Sequence, residues 1–289
     1  MAEFASLEGK NALVTGGSRG IGRAIAVAYA KEGADVVGID ICGPVSPASE
    51  TSPATRQDLD ETGGQVEQYG RRFVGVVADV RDLPALRRAA DDAARELGHL
   101  DIVVANAAIQ TYGPLLQMDD HQWHDVIDVN LTGYANTIRA FAPRLVGRPS
   151  GRVILIASGQ GRHGTKNASS YSTSKWGVIG LMKCAALELG EHKITVNCIE
   201  PGLTDTPLTR NPTRWKAAIA EVEHTKPSAQ TPTEEQVAAE MAKKSPMKIP
   251  WLQPQDIAPV AVFLASDEAH GISGATYDVT AGDSANWTA

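Results

Sequence analysis

Short apolar runs recur along the chain and lack the polar alternation of a strand with one wet face. Asn11–Thr15, 34–39, Phe73–Val77, Ile102–Ala105, 153–157 and 194–199 are such runs. Continuous apolar character over so few residues suits strands covered on both faces. Between them the spacing of apolar residues predicts helices over 21–31, Leu83–Leu97, 121–145 and 171–189. Alternating strands and helices predict right-handed βαβ units, and so an α/β fold with a doubly wound parallel sheet. No Pro/Ser-rich linker splits the chain, so residues 1–289 are expected to form a single domain.

Two stretches break this rhythm. Residues 43–55 mix Pro44, Pro47 and Pro53 with Ser, Ala and Thr, which predicts an irregular surface loop. Residues 203–253 are polar and carry prolines at 207, 212, 227, 232, 246 and 250. Within them only two short helical patterns stand out, near 214–223 and at Glu234–Lys244. A long excursion of this kind is expected to be a lid, with few buried contacts of its own.

Several residues at strand ends carry candidate chemistry. Thr15-Gly16-Gly17-Ser18-Arg19-Gly20-Ile21-Gly22 lies between a strand and a helix. Glycines let such a turn bring backbone N–H groups up to a pyrophosphate, at the positive end of the new helix. Asp40 closes the second strand, where a carboxylate accepts ribose hydroxyls and repels the 2′-phosphate of NADP. Arg19 pulls the other way, since a cation could hold that phosphate. NAD is the expected cofactor. Asp79-Val80 and Asn106-Ala107-Ala108 follow the third and fourth strands, at the edge where open α/β sheets bind ligands.

Tyr171 and Lys175 stand i and i+4 on a predicted helix and share a face. An ammonium near a phenol favours phenolate, which makes Tyr171 a candidate general acid or base. Ser158 ends a strand and is placed to hydrogen-bond a substrate oxygen. Tyr112, Gln160, Arg162, His163, Trp215 and Met241 are candidate substrate contacts, and Arg162 and His163 hint at a polar or anionic substrate. His121 and His124 suggest no third ligand, so no metal is expected. Trp176, Cys184 and Cys198 read as packing residues.

Composition narrows the classes. Apolar residues make up 43% and charged residues 21% of the chain, and the net charge is −7. An acidic balance argues against a nucleic-acid partner. No run reaches the roughly 18 apolar residues of a membrane helix. The opening residues lack the basic start and apolar stretch of a signal peptide. Three cysteines are too few for a disulfide framework. A cytoplasmic location is the expectation.

Taken in order, Thr15–Gly22, Asp79, Asn106–Ala108, Asn130, Ser158, Tyr171 with Lys175, and Pro201-Gly202 resemble the motifs of the short-chain dehydrogenase/reductase family, in its single-domain branch. The resemblance runs from about Leu7 to Asp283. The stretch from Asp40 to Tyr69, with Asp58-Leu59 and Gly70-Arg71-Arg72, is similar to the mycofactocin-associated subgroup. The resemblance implies a Rossmann fold and hydride transfer between NAD and a secondary alcohol or ketone. Tyr171 would be the acid/base and Lys175 would lower its pKa and hold the nicotinamide ribose. Ser158 would position the reacting carbonyl or alcohol, and Asn130 would hold a water that links Lys175 to solvent. Gly16, Ser18, Arg19, Gly20, Ile21, Gly22, Asp40, Asp79, Val80, Asn106 and Ala107 would contact the cofactor, as would Pro201, Gly202, Leu203 and Thr204. Ala108 departs from the family, which more often has Gly there. A homotetramer is implied, with the helices over 121–145 and 171–189 at one interface and residues 277–289 at another. The alternatives are an NADPH-dependent oxoacyl-acyl-carrier ketoreductase and a catalytically silent NAD-binding sensor.

Overall fold

Successive side chains along the inner strands point into two different hydrophobic layers. Ala12 and Val14 enter one and Leu13 the other; Ile154 and Ile156 enter the first and Val153 and Leu155 the second. Both faces of the sheet are therefore buried, which is why these strands are apolar without alternation. The computed structural model describes residues 5–222 and 230–286. Residues 223–229 of the excursion and 287–289 of the C-terminal segment lie outside them.

Among the described residues seven strands form one sheet: β1 (Asn11–Thr15), β2 (Asp35–Asp40), β3 (Phe73–Val77), β4 (Ile102–Ala105), β5 (Gly151–Ile156), β6 (Ile194–Pro201) and β7 (Thr276–Val279). The order is β3-β2-β1-β4-β5-β6-β7, and every pairing is parallel. The chain winds outward from β1 in one direction, then from β4 in the other. The reversal opens a crevice at the carboxyl ends of β1 and β4, where ligands bind in such sheets.

Helices α1 (Gly20–Lys31) and α9 (Pro254–Ala265) cover one face, joined by a 3.1 Å hydrogen bond from the Tyr29 hydroxyl to the Ala261 carbonyl. Helices α3 (Leu83–Leu97), α5 (Gly133–Phe141) and α6 (Ser169–Leu189) bury their apolar sides on the other. The helix predicted over 121–145 is interrupted. It consists of α4 (Asp120–Ile127), a π turn at Asp128–Thr132, α5, and a tight turn at Ala142–Arg144.

Three elements were not apparent in the periodicity. Helix α2 (Arg56–Glu67) holds adjacent glycines that argue against a helix. It is started by a reciprocal cap, with Asp58 N–H donating to the Thr55 hydroxyl and Thr55 N–H to the Asp58 carboxylate. Gly63 lets it dock, since a Cβ there would stand 2.7 Å from the Phe73 ring. Helix α9 was obscured by Pro254 and Pro259, and β7 by its partly exposed side chains. Residues 43–55 form the expected irregular loop.

The excursion contains α7 (Pro212–Val222) and α8 (Glu234–Lys244). Contrary to the expectation of few buried contacts, it builds a small core from Val237, Met241 and Trp251, with Leu203, Trp215 and Ile219 against it. Trp215 with Ile219 and Val237 with Met241 show a helical period, but the packing of the two helices on each other and on Trp251 is non-local. The Arg210 guanidinium lies 4.3 Å above the Trp251 ring and pairs with Asp205 and Glu234. At its base, Leu252 N–H donates to the Leu203 carbonyl and Asp205 N–H to the Leu252 carbonyl, at 2.9 and 2.7 Å.

Candidate active site

The glycine turn is shaped by contact with β4. Gly16 has φ +67°, and a Cβ there would lie 2.8 Å from Asn106 Nδ2. Asn106 Nδ2 donates to the Thr15 and Gly16 carbonyls at 2.9 and 3.3 Å, which locks the turn to the next strand end. Helix α1 begins at Gly20 without a side-chain cap on its first N–H groups, so these donors remain for an anion. Asp40 accepts from Ser18 N–H and Cys42 N–H, each at 3.2 Å.

A cavity of about 420 Å³ opens at this edge. Gly16, Arg19, Gly20, Ile21, Asp40, Asp79, Val80, Asn106, Ala107, Pro201, Gly202 and Thr204 all line it. Ser18 and Gly22 stand behind its wall: Ser18 is fully buried, and its carbonyl accepts from Arg23. Leu203 lines a neighbouring cavity instead. The Asp79 carboxylate is held by Arg81 at 2.6 to 3.0 Å, and Arg81 also reaches the Val45 carbonyl. The 43–55 loop forms one side of the cavity, an element whose composition signalled only irregularity. Arg19 donates to the Ser52 carbonyl of that loop.

Tyr171 and Lys175 emerge from one face of α6 as expected, both buried, beside Ser158 at the end of β5. Lys175 Nζ donates to the Ile156 carbonyl at 2.8 Å and to the Tyr134 hydroxyl at 3.2 Å, and stands 5.6 Å from the Tyr171 ring centroid. Burial pulls the ammonium down to about 7. Burial also raises the Tyr171 phenol, while a hydrogen bond with Ser158 and the field of Arg214 oppose the rise. The sequence suggested a phenol lowered by Lys175; in the folded protein desolvation wins for both groups.

Asn130 sits in the π turn, fully buried. Its Oδ1 accepts from Ile109 N–H at 2.8 Å, and its Nδ2 donates to the Ile109 carbonyl and the Ser174 hydroxyl at 2.9 and 3.1 Å. The amide thus joins the loop after β4 to α6. Tyr134, which sequence reasoning missed, lies in the first turn of α5, directly after the π turn, and touches Lys175.

A second cavity, of about 470 Å³, adjoins the first and is lined by Tyr112, Gln160, His163 and Trp215, with Met241. Ser158, Gln160, Pro201, Gly202, Thr209 and Arg214 line both cavities. Arg162 does not: its Nε pairs with Glu200 Oε1 at 3.0 Å, and it donates to Thr276. With those partners Arg162 offers no charge to a substrate anion. Arg214, the neighbour of the singled-out Trp215, was also missed; the only signal was its place at the start of a predicted helix. Two packing assignments fail, since Trp176 is 54% exposed and Cys184 is exposed.

Comparison with known proteins agrees with this geometry. Residues 10–217 match the family model described as short chain dehydrogenase, and residues 220–284 match one described as Enoyl-(Acyl carrier protein) reductase. A (-)-trans-carveol dehydrogenase of Rhodococcus erythropolis is 37% identical, over 96% of this chain and 99% of its own length. The crystal structure of a carveol dehydrogenase from Mycobacterium avium in complex with NAD superimposes with a TM-score of 0.90 at 37% identity, covering 96% of this chain and 98% of that one. A short chain dehydrogenase from Mycobacterium paratuberculosis bound to NAD gives 0.86 at 36% identity, covering 97% and 99%. Family model, relatives and fold agree over almost the whole length: the chain belongs to the short-chain dehydrogenase/reductase family.

Proposed function

We propose that the chain is an NAD-dependent oxidoreductase acting on CH–OH groups of secondary alcohols and on the matching ketones. The observation that carries this is the meeting of the two cavities at Ser158, with Tyr171 and Lys175 on the wall of the first. The turn at Gly16, the uncapped start of α1 and the Asp40 carboxylate fit a dinucleotide without a 2′-phosphate. Relatives in complex with NAD support the same cofactor. When bound, NAD supplies the hydride acceptor or donor of the reaction.

The chain's own residues manage orientation and the proton. Ser158 Oγ hydrogen-bonds the substrate oxygen, and Tyr171 Oη takes its proton in alcohol oxidation or returns it in ketone reduction. Lys175, charged when it gains polar partners, steadies the phenolate. Asn130 is a positioning residue, holding the loop after β4 against α6 through Ile109 and Ser174. Tyr112, Gln160, His163 and Trp215 contact the substrate. The excursion over 203–253 is a lid on a single domain of 1–289, and its closure excludes water from the reacting centre.

The protein acts as a homotetramer in the cytoplasm. Support comes from Trp176 and Leu187, 54% and 85% exposed and three helical turns apart on α6. Among the described residues no helix is long and apolar enough to cross a membrane. Light scattering that shows only monomer would remove the assembly. The activity is tested by mixing the purified protein with NAD and a panel of secondary alcohols and following reduced nicotinamide absorbance. Absorbance should rise; no change with any alcohol, and none with NADH and the ketones, would sink the reading.

A further inference from the structure

Arg214 differs from three of the arginines near the site, which are paired with carboxylates. Arg81 is held by Asp79, Arg162 by Glu200, and Arg210 by Asp205 and Glu234. Arg214 is half-buried in the first turn of α7, and its side-chain partners among the described residues are two neutral oxygens. Its Nη1 donates to the Tyr112 hydroxyl at 2.7 Å and to Gln110 Oε1. No carboxylate of the described residues pairs with it. A guanidinium carries five N–H donors in a planar fork suited to a carboxylate, so most of its capacity is unspent.

The surroundings are biased in the same sense. The cavity beside it is lined by Lys166, Lys244 and Arg214 against one acid, Asp283, although the whole chain has a net charge of −7. Charges of one sign in a cleft with apolar walls concentrate the field on a ligand of the opposite sign. Trp215, Met241 and Trp251 provide such walls. Arg214 also lies on the wall shared by both cavities, with Ser158. Its field reaches the Tyr171 phenol, which places it near the reacting end of the site.

We infer that the substrate is a hydroxy or oxo carboxylic acid with an apolar body, and that the Arg214 guanidinium binds its carboxylate close to the reacting carbon. This rests on the oxidoreductase reading and names its substrate class. The reaction is the interconversion of hydroxy acid and NAD with oxo acid, NADH and a proton, so the atoms and electrons balance without another reactant. The carboxylate only binds, and Tyr171 still handles the proton of the hydroxyl.

Two matched pairs of probes test the inference on the NAD-loaded protein. Turnover compares mandelate with methyl phenyl carbinol, and calorimetry compares binding of benzoate with benzamide. The carboxylate of each pair should be favoured by about ten- to a hundredfold, the range of a charge-assisted hydrogen bond. Arg214→Gln should remove most of that preference and Arg214→Lys restore part of it, while raising ionic strength should weaken the carboxylate arm alone. The ionic-strength arm needs no variant, so a poorly folding Arg214→Gln does not spare the proposal. Equal or better handling of the neutral probes, with turnover, would keep the oxidoreductase and overturn the carboxylate. Arg214-dependent benzoate binding without any turnover would support the carboxylate and count against the oxidoreductase. Silence in every arm overturns both. If Arg214→Gln instead weakens NAD binding and leaves the charge preference intact, the guanidinium serves the cofactor phosphates and the inference fails.

Discussion

Arg162 Nε donates to Glu200 Oε1 at 3.0 Å and so ties the turn after Ser158 to the strand end before Pro201. Glu200 is fully buried, and burial together with Asp278 on the neighbouring strand pushes its carboxyl up to about 7. The folded protein therefore holds this proton over a range where the unfolded chain, at its ordinary value of 4.5, has released it. Stability from Glu200 is full below that value and is lost as pH rises through about 7. Glu200→Gln has no such loss. Melting temperature measured against pH should fall less steeply for the variant over this window, and parallel curves would show that Glu200 does not titrate there.

Tyr171→Phe should fold and bind NAD while kcat falls by about 10²–10⁴-fold, the usual worth of a placed acid/base. Because burial raises the wild-type phenol, alcohol oxidation should quicken toward alkaline pH and ketone reduction should hold across neutrality. Rate profiles in both directions check this. Near-native turnover in the variant would remove Tyr171 from the proton path.

Asp40 stands where the ribose of a bound dinucleotide would lie, and its carboxylate repels a 2′-phosphate. NAD should be preferred over NADP, and Asp40→Ala should narrow the gap roughly tenfold, the scale of one partly screened charge pair. Steady-state constants for both cofactors decide it, and a native preference for NADP would refute it.

A methyl group at Gly22 would stand 2.1 Å from the Gly16 carbonyl oxygen and 2.7 Å from Asn106 Nδ2. Gly22→Ala should therefore lower stability by about 1–3 kcal/mol, as overpacking does, and weaken NAD binding through the displaced turn. Gly164→Ala, with nothing within 4 Å of the new methyl, is the control. Denaturant midpoints of the two variants give the comparison.

What the sequence disclosed and what it hid follow from the range of the interactions. Strands such as Asn11–Thr15 and Ile102–Ala105 are buried on both faces, so their composition alone marks them. Tyr171 with Lys175 is a local relation along one helix, and it too was legible. The Lys175–Tyr134 contact joins residues 41 apart in sequence and on different helices, and no spacing displays it. The reach of Arg214 to Gln110 and Tyr112 spans more than a hundred residues and exists only after folding. The fall of Lys175 to about 7 reflects burial that no sequence window displays.

If residues 203–253 close over substrate, NAD with a turned-over alcohol should slow amide exchange across 204–247 more than NAD alone. The excursion's own core around Trp251 should already protect α8 before ligand is added. Protection confined to the glycine turn and α6 would make the excursion a passive insertion.

The paired base of that excursion has a separate consequence. Leu203 and Asp205 leave the sheet hydrogen-bonded to Leu252, the residue where the chain returns. Both ends are thus clamped together before any of the intervening chain is specified. Closing a longer or shorter loop on a fixed clamp changes the entropy only logarithmically with its length. The clamp thus tolerates changes in the length of the segment between its points. The helices of that segment could lengthen or shorten, altering which molecules reach Ser158, while the seven strands and their order stay as they are.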